Sequence, residues 1–342
     1  MYRKKAGVVI LVLLVLLVVV ACVSLSVGQI PISFQDIVAV LGDGLGLHFV
    51  TAGAFTEEQK AVIWFIRMPR LIVGILVGCA LGISGAVMQG VFSNPLADPG
   101  IIGVSSGASM GAVIAIALGA SADVLTLPLF AFVGALFAVM LTVLLAMKNG
   151  KIPVMTLLLA GVAVGMFLSA VTSGVLTFMN EQKLQQFLFW MVGGLDYRRW
   201  EHVYMAVGPI IVGSGVLMLL ARHLNILVLG DTEAKAVGMH VLPFRMGMLA
   251  IAALTTAASV CVSGNIGFVG LVVPHMMRMF VGPDHRVLLP AAGLAGAAFL
   301  VICDTIGRAI VAPTEIRVGI MTAIIGTPYF LYLLRRLQKD SF

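Results

Sequence analysis

The sequence is short of charge. Only 11% of its 342 residues are Asp, Glu, Lys or Arg, whereas 61% are hydrophobic. An average soluble domain carries about 25% charged residues. A chain this apolar cannot cover a water-facing surface. The shortage excludes a water-soluble enzyme, a disordered chain and a nucleic-acid module, and it leaves a polytopic membrane protein. The alternating ten-residue strands of an outer-membrane barrel are also missing, so the class is α-helical. Cysteine is scarce: Cys22, Cys79, Cys261 and Cys303 stand singly in apolar runs with no C-x-x-C. They read as packing residues, not as disulfides or metal ligands. His-Glu-x-x-His is absent, and there is no Walker A motif, since Gly150-Lys151 is followed by Ile152. Nucleotide hydrolysis, if the protein works against a gradient, has to come from another chain. No polar stretch is long enough for a soluble domain; the longest run about Gly28–Arg67, Phe178–His202 and Arg222–Pro243. The chain therefore reads as one transmembrane domain, 1–342.

Long apolar runs are what is present. Ten can span: Val8–Val27, Met68–Val91, Ile101–Leu118, Val124–Met147, Val154–Thr177, Val203–Ala221, Phe244–Ser263, Phe268–Val281, Val287–Gly307 and Val318–Arg335. The eighth is short, with glycines before it and Pro274 inside it, which predicts a helix buried in protein. Arg3, Lys4 and Lys5 precede the first run, which passes Cys22 and continues to Val27; it reads as a retained helix, not a cleaved leader. Net charge is +6, and its distribution tests the topology. With the N-terminus inside, the cytoplasmic side receives Arg3, Lys4, Lys5, Lys148, Lys151, Arg222, Lys235, Arg245, Arg278, Arg286, Arg335, Arg336 and Lys339. The outer side receives Lys60, Arg67, Arg70, Lys183, Arg198, Arg199, Arg308 and Arg317. Thirteen against eight agrees with ten spans and both ends inside. Ser33 is placed to cap a surface helix with Ile37, Val38 and Leu41 on one face.

Small residues recur every four positions: Gly74, Gly78, Gly82, Ala86 and Gly90 in the second span, Gly103, Gly107 and Gly111 in the third, Gly161 and Gly165 in the fifth. This spacing lets helices approach closely in lipid, as static packing or as a sliding interface. Asn94-Pro95-Leu96-Ala97-Asp98-Pro99-Gly100 stops two helices and makes a rigid turn. Gly103–Gly107 matches the G-x-S-x-G nucleophile pattern through Ser105, but on a membrane helix that match reads as coincidence. In Gly230-Asp231-Thr232-Glu233-Ala234-Lys235-Ala236-Val237-Gly238, Asp231 is a good N-cap and Gly238 a good stop, which predicts a short charged helix on the cytoplasmic face. It is either a solvated connector or a knob for a cytoplasmic partner. Asp304 and Arg308 are one helical turn apart and can pair, although Arg308 could equally face outward.

Arg67-Met68-Pro69-Arg70, Gly85–Gly90, Asn94–Gly100, Gly103–Ala108, Leu159-Ala160-Gly161, Gly230–Gly238, Gly264–His275 and Asp284-His285-Arg286 occur in one order along nearly the whole chain. As an ordered set they resemble the FecCD-type permeases of ABC importers for ferric siderophores, haem and cobalamin. The resemblance implies a ten-helix subunit that forms a homodimer in the cytoplasmic (inner) membrane of a bacterium or archaeon. It implies two cytoplasmic ATPase subunits, which bind ATP and Mg, and an extracytoplasmic substrate-binding protein; no cofactor is bound by this chain. Arg67, Arg70 and Arg308 match arginines that dock the binding protein through its glutamates, and bidentate pairing suits that task. Gly230, Asp231, Thr232, Glu233, Ala234, Lys235, Ala236, Val237 and Gly238 match the segment that couples to the ATPase. Asn94, Pro95 and Leu96 match a cytoplasmic gate. A second gate falls at Pro153-Val154-Met155, where this chain lacks a small hydroxyl pair.

Two other classes compete. An intramembrane serine hydrolase would join Ser105 or Ser263 to His275 by a hydrogen bond. An ion-driven secondary transporter would need ionisable residues at mid-membrane, and apart from Asp304, near a helix end, the spans hold almost none.

Overall fold

A computed structural model describes residues 2–28, 30, 32–44, 55–120, 123–147, 152–311 and 313–339. Among them the chain is helical throughout. Helix α1 (Tyr2–Ser26) is followed by α2 (Phe34–Gly44) and by α3 (Glu57–Ala61), which passes through a π-helical turn (Val62–Arg67) straight into α4 (Met68–Val91). A 3-10 turn (Pro99–Ile102) then leads to α5 (Val104–Ala117), α6 (Thr126–Ala146), α7 (Val154–Leu176), α8 (Glu181–Val192) and α9 (Trp200–Leu219). The rest comprises α10 (Ala221–Leu227), α11 (Asp231–Ala236), α12 (Val241–Ser263), α13 (Val269–Val281), α14 (His285–Ile310) and α15 (Val318–Lys339). Among the described residues seven stretches are long and apolar enough to cross a membrane, and three shorter apolar helices, α5, α13 and the Val318–Tyr332 part of α15, fall where the other three spans are expected.

Local signals explain most boundaries. Pro69 sits in the first turn of α4, where its missing N–H costs nothing. Ser33 caps α2 as expected: its Oγ accepts from Asp36 N at 3.2 Å, while Asp36 Oδ2 accepts from Ser33 N at 3.3 Å. The buried face of α2 differs from the expected one. Ile37 and Val40 are buried, while Val38 turns to the outside. Helix α8 lies in a stretch read as connection. Its signals were Asn180, whose Oδ1 accepts from Lys183 N at 3.0 Å, and Phe187 and Trp190, buried three residues apart.

The core is built on α4, α12 and α14. Most side chains of α4 are buried, whereas Val8, Leu11, Val12, Val15, Val18 and Val19 of α1 are exposed, so α1 lies at the periphery. The small-residue stripe of α4 faces α14. A methyl group on Gly78 would lie 2.8 Å from the Cα of Ala297, and one on Gly82 would meet the Ala292 carbonyl. Lipid supplies no hydrophobic drive between helices, so such backbone-to-backbone packing is what holds the pair. The short α13 is buried along α4, with Gly85 directly against Gly270.

Candidate functional site

Two ends and one turn concentrate the polar chemistry. At the first end, the C-terminus of α1 leaves carbonyls without helical partners. Two arginines collect them. Arg67 Nη1 donates to Leu25 O and, at 3.2 Å, to Ser26 O, and its Nη2 donates to Ile30 O. Arg308 Nη1 donates to Val27 O at 2.6 Å, and its Nη2 donates to Ser24 O at 3.1 Å and Ser24 Oγ at 2.8 Å. The π-helical turn ends at Arg67 and adds one residue to that stretch, which is how its side chain comes to lie inward. The outward-facing alternative for Arg308 is corrected here: Arg67 and Arg308 are only 6% and 7% exposed.

Arg70 lies beside them with different partners. Its Nε and Nη2 donate to Asp304, with Nη2–Oδ1 at 2.8 Å, and its Nη1 donates to Glu315 Oε2 at 2.8 Å. Asp304 is 3% exposed and also accepts from Arg308 Nε at 3.2 Å, which is the pairing its spacing predicted. Glu315 reaches the surface. Nearby, Arg317 pairs with Asp196 at 3.0 Å and covers the Phe189 ring at 4.6 Å. Arg198, in the loop before α9, donates to Gly194 O at 3.1 Å; burial lowers its pKa to about 10.

The other end carries the short helix α11. The expectation that Asp231 is its N-cap is corrected. Gly230 takes that place with φ +125°, a conformation open to glycine, and Asp231 is the first helical residue. The Asp231 carboxylate instead holds Arg245 of α12 at 2.6 Å. Gly238 ends the helix as predicted, with φ +82°: Met239 N donates to Ala234 O at 3.0 Å and Gly238 N to Lys235 O at 2.9 Å, a Schellman closure. Ala234 is buried, while Asp231, Thr232, Glu233, Lys235, Ala236, Val237 and Gly238 are exposed. The knob thus stands off the bundle, braced by Arg245. Beside it is an open cleft of about 600 Å³ lined by His223, Met239, His240 and Phe244 among others.

Between α4 and α5 the chain makes the predicted tight turn. Asn94 Oδ1 accepts from Leu96 N at 2.9 Å, and Asp98 Oδ1 accepts from Gly100 N at 2.7 Å, capping the 3-10 turn. Burial holds the Asp98 carboxyl above its usual range. Pro95 and Leu96 are half-buried, and Asn94 is exposed. At the second expected gate, Pro153 precedes α7, and residues 148–151 lie outside the described part.

The competing chemistries find no support. Ser263 Oγ donates to Ser259 O at 2.9 Å, and the buried His275 Nδ1 has no hydrogen-bond partner among the described residues. Among the described residues Arg67, Asp304 and Arg308 are buried together at one end, and the enclosed Asp98 carboxyl lies in the turn before α5, beside Gly270 of α13.

Comparison with known proteins agrees with this layout. The description of the FecCD transport family matches residues 16–336. The chain is similar to the cobalamin import system permease protein BtuC of Halobacterium salinarum, with 49% identity over 82% of this chain and 74% of that protein. It is also similar to the hemin transport system permease protein HmuU of Yersinia pestis, with 41% identity over 86% of this chain and 90% of that protein. A solved structure assigned to a metal-chelate type ABC transporter, in an inward-facing conformation, superposes with a TM-score of 0.85 at 32% identity. That superposition covers 96% of this chain and 99% of the other.

Proposed function

The chain belongs to the FecCD transport family, the permeases of ABC importers, and on that premise we propose that it carries a bulky metal chelate inward across a cytoplasmic membrane. The relatives named for cobalamin and haemin support a cargo of that size and kind, a corrinoid, haem or ferric siderophore. The chain works as a homodimer, as one transmembrane domain with both ends in the cytoplasm. It binds no cofactor and is not itself an enzyme. ATP and Mg belong to two ATPase subunits at the α11 end, and a substrate-binding protein docks at the Arg70 end, outside.

The observation that carries this reading is the α11 knob. A six-residue helix with one buried side chain gains little by packing on its own bundle, yet both its ends are closed and Arg245 fixes its angle. A rigid protruding element of this kind suits a groove in a partner that moves it. Residues 230–238 are accordingly the ATPase contact. At the opposite end, Arg70 is the docking cation nearest the surface, and Arg67 and Arg308 act with it by fixing the end of α1. Asn94, Pro95 and Leu96 form the cytoplasmic gate, in a turn that two prolines and two side-chain caps keep stiff.

The mechanism is alternating access. ATP draws the ATPases together, α11 moves with them, and the bundle changes the side to which its pathway opens. Affinity resides in the binding protein, so the permease needs only a smooth, weakly binding wall. The test replaces Asp231–Lys235 by a Gly/Ser linker. Uptake should stop, and hydrolysis should no longer respond to the substrate-loaded binding protein. Hydrolysis that is still stimulated refutes the coupling role.

A further inference from the structure

One side chain ties the segment before α11 to the bundle. Asn225 lies in α10, and its amide meets the start of α14. Asn225 Nδ2 donates to Asp284 Oδ1 at 2.7 Å, and Asn225 Oδ1 accepts from the His285 backbone N–H at 2.9 Å. Asp284 can only accept and that N–H can only donate, so one orientation of the amide satisfies both. Asn225 Oδ1 also lies 2.7 Å from His285 Nδ1, which sets the proton on Nδ1 and leaves Nε2 as a bare acceptor. His285 Nε2 is buried against α4: a methyl group on Gly90 would lie 2.8 Å from it and 3.1 Å from Leu224 of α10. The amide thus joins α10 to the start of α14, and the end of α4 packs on the same spot through Gly90, against His285 and Leu224.

From there α4 and α14 run side by side, with glycine-to-backbone contacts at Gly78 and Gly82. Helix α14 has 26 residues, about 39 Å at 1.5 Å per residue. At its far end Asp304 holds Arg70 of α4 at 2.8 Å. The helix pair that receives Asn225 at one end thus carries the arginine cluster at the other.

We propose that Asn225 is a positioning residue, which clamps the ATPase-contacting segment to the α4–α14 pair so that movement at α11 and rearrangement at the Arg70 cluster are one motion. The proposal rests on the reading of residues 230–238 as the ATPase contact. The test uses the permease reconstituted in liposomes with its ATPase and binding protein. The cargo is cyanocobalamin or haemin, whichever the parental liposomes accumulate. Three variants are compared: Asn225→Asp, which sets two carboxylates against each other; Asp284→Asn; and the double variant, in which Asn at 284 donates to Asp at 225. Each is first checked for monodispersity and for ATPase retained on purification.

Asn225→Asp should keep the ATPase and its basal hydrolysis, but lose at least tenfold in both uptake and stimulation by the loaded binding protein. Asp284→Asn should stay within threefold of the parent, and the double variant should recover to the same range. A merely structural role would lower basal hydrolysis and retention of the ATPase together with uptake, whereas the swap separates loss of this hydrogen bond from other effects of the substitutions. The proposal is overturned if Asn225→Asp transports normally, if the double variant stays as defective as Asn225→Asp, or if Asn225→Asp loses the ATPase. Failure of the underlying reading shows separately, as substrate-stimulated hydrolysis that survives the linker at 231–235.

Discussion

Replacing Asp304 by Asn removes one negative charge from a cluster in which Arg70 pairs with Asp304 and Glu315 and Arg308 pairs with Asp304. The carboxylate is 3% exposed and accepts from Arg70 Nε and Nη2 and from Arg308 Nε. Breaking a buried ion pair by removing one partner costs about 3–5 kcal/mol. Three features reduce that here. Arg70 keeps Glu315, Arg308 keeps Val27 O and both Ser24 oxygens, and Asn retains one acceptor worth about 1 kcal/mol. The expected loss is about 2–3 kcal/mol, which for a chain of this size lowers Tm by roughly 3–4 °C. A thiol-reactive dye in detergent reads the transition, because Cys261 and Cys303 are buried in the native fold. A pair this enclosed is little screened, so the loss should be the same in 0.1 and 1 M salt. A shift under about 1 °C, or one that disappears at high salt, refutes a buried network at Asp304.

Two further expectations follow from the same geometry. Glu315 occupies Arg70 Nη1 from a partly exposed position, so Glu315→Gln should free that donor and tighten binding-protein docking roughly two- to fivefold, the scale of an exposed ion pair; unchanged or weaker docking in a titration at physiological salt contradicts Arg70 as the docking contact. Gly82→Leu drives a side chain into the Ala292 carbonyl and should cost about 1–3 kcal/mol or abolish folded yield. Gly208→Leu, at a position with open space, should be neutral on the same thermal assay.

The spans were legible because each depends on a local run of apolar residues, and α4 begins and ends where the sequence put it. Short capped elements were legible where the cap is a side chain, as at Ser33, or a glycine, as at Gly238. Asp231 was misjudged for a physical reason. An acid before a helix reads as a cap, but here a glycine at φ +125° takes the cap and the acid is drawn to Arg245, fourteen residues away. The arginine cluster was half legible. The Asp304–Arg308 pair follows from helical spacing, whereas Arg70–Asp304 joins residues 234 apart and depends on α4 packing against α14. The burial of Arg67 depends on a π-helical turn that no local pattern announces. Asn225 carries no motif, and its role becomes visible only when α10 and α14 are brought together.

The central claim is that ATP hydrolysed on a partner drives a metal chelate through this chain. The direct measurement is uptake of cyanocobalamin or haemin into liposomes holding the permease and its ATPase, with the binding protein outside and ATP enclosed. The account predicts accumulation that needs ATP, the ATPase and the binding protein together, and that ignores imposed proton or sodium gradients. Uptake without the ATPase, or uptake driven by an ion gradient, would contradict it.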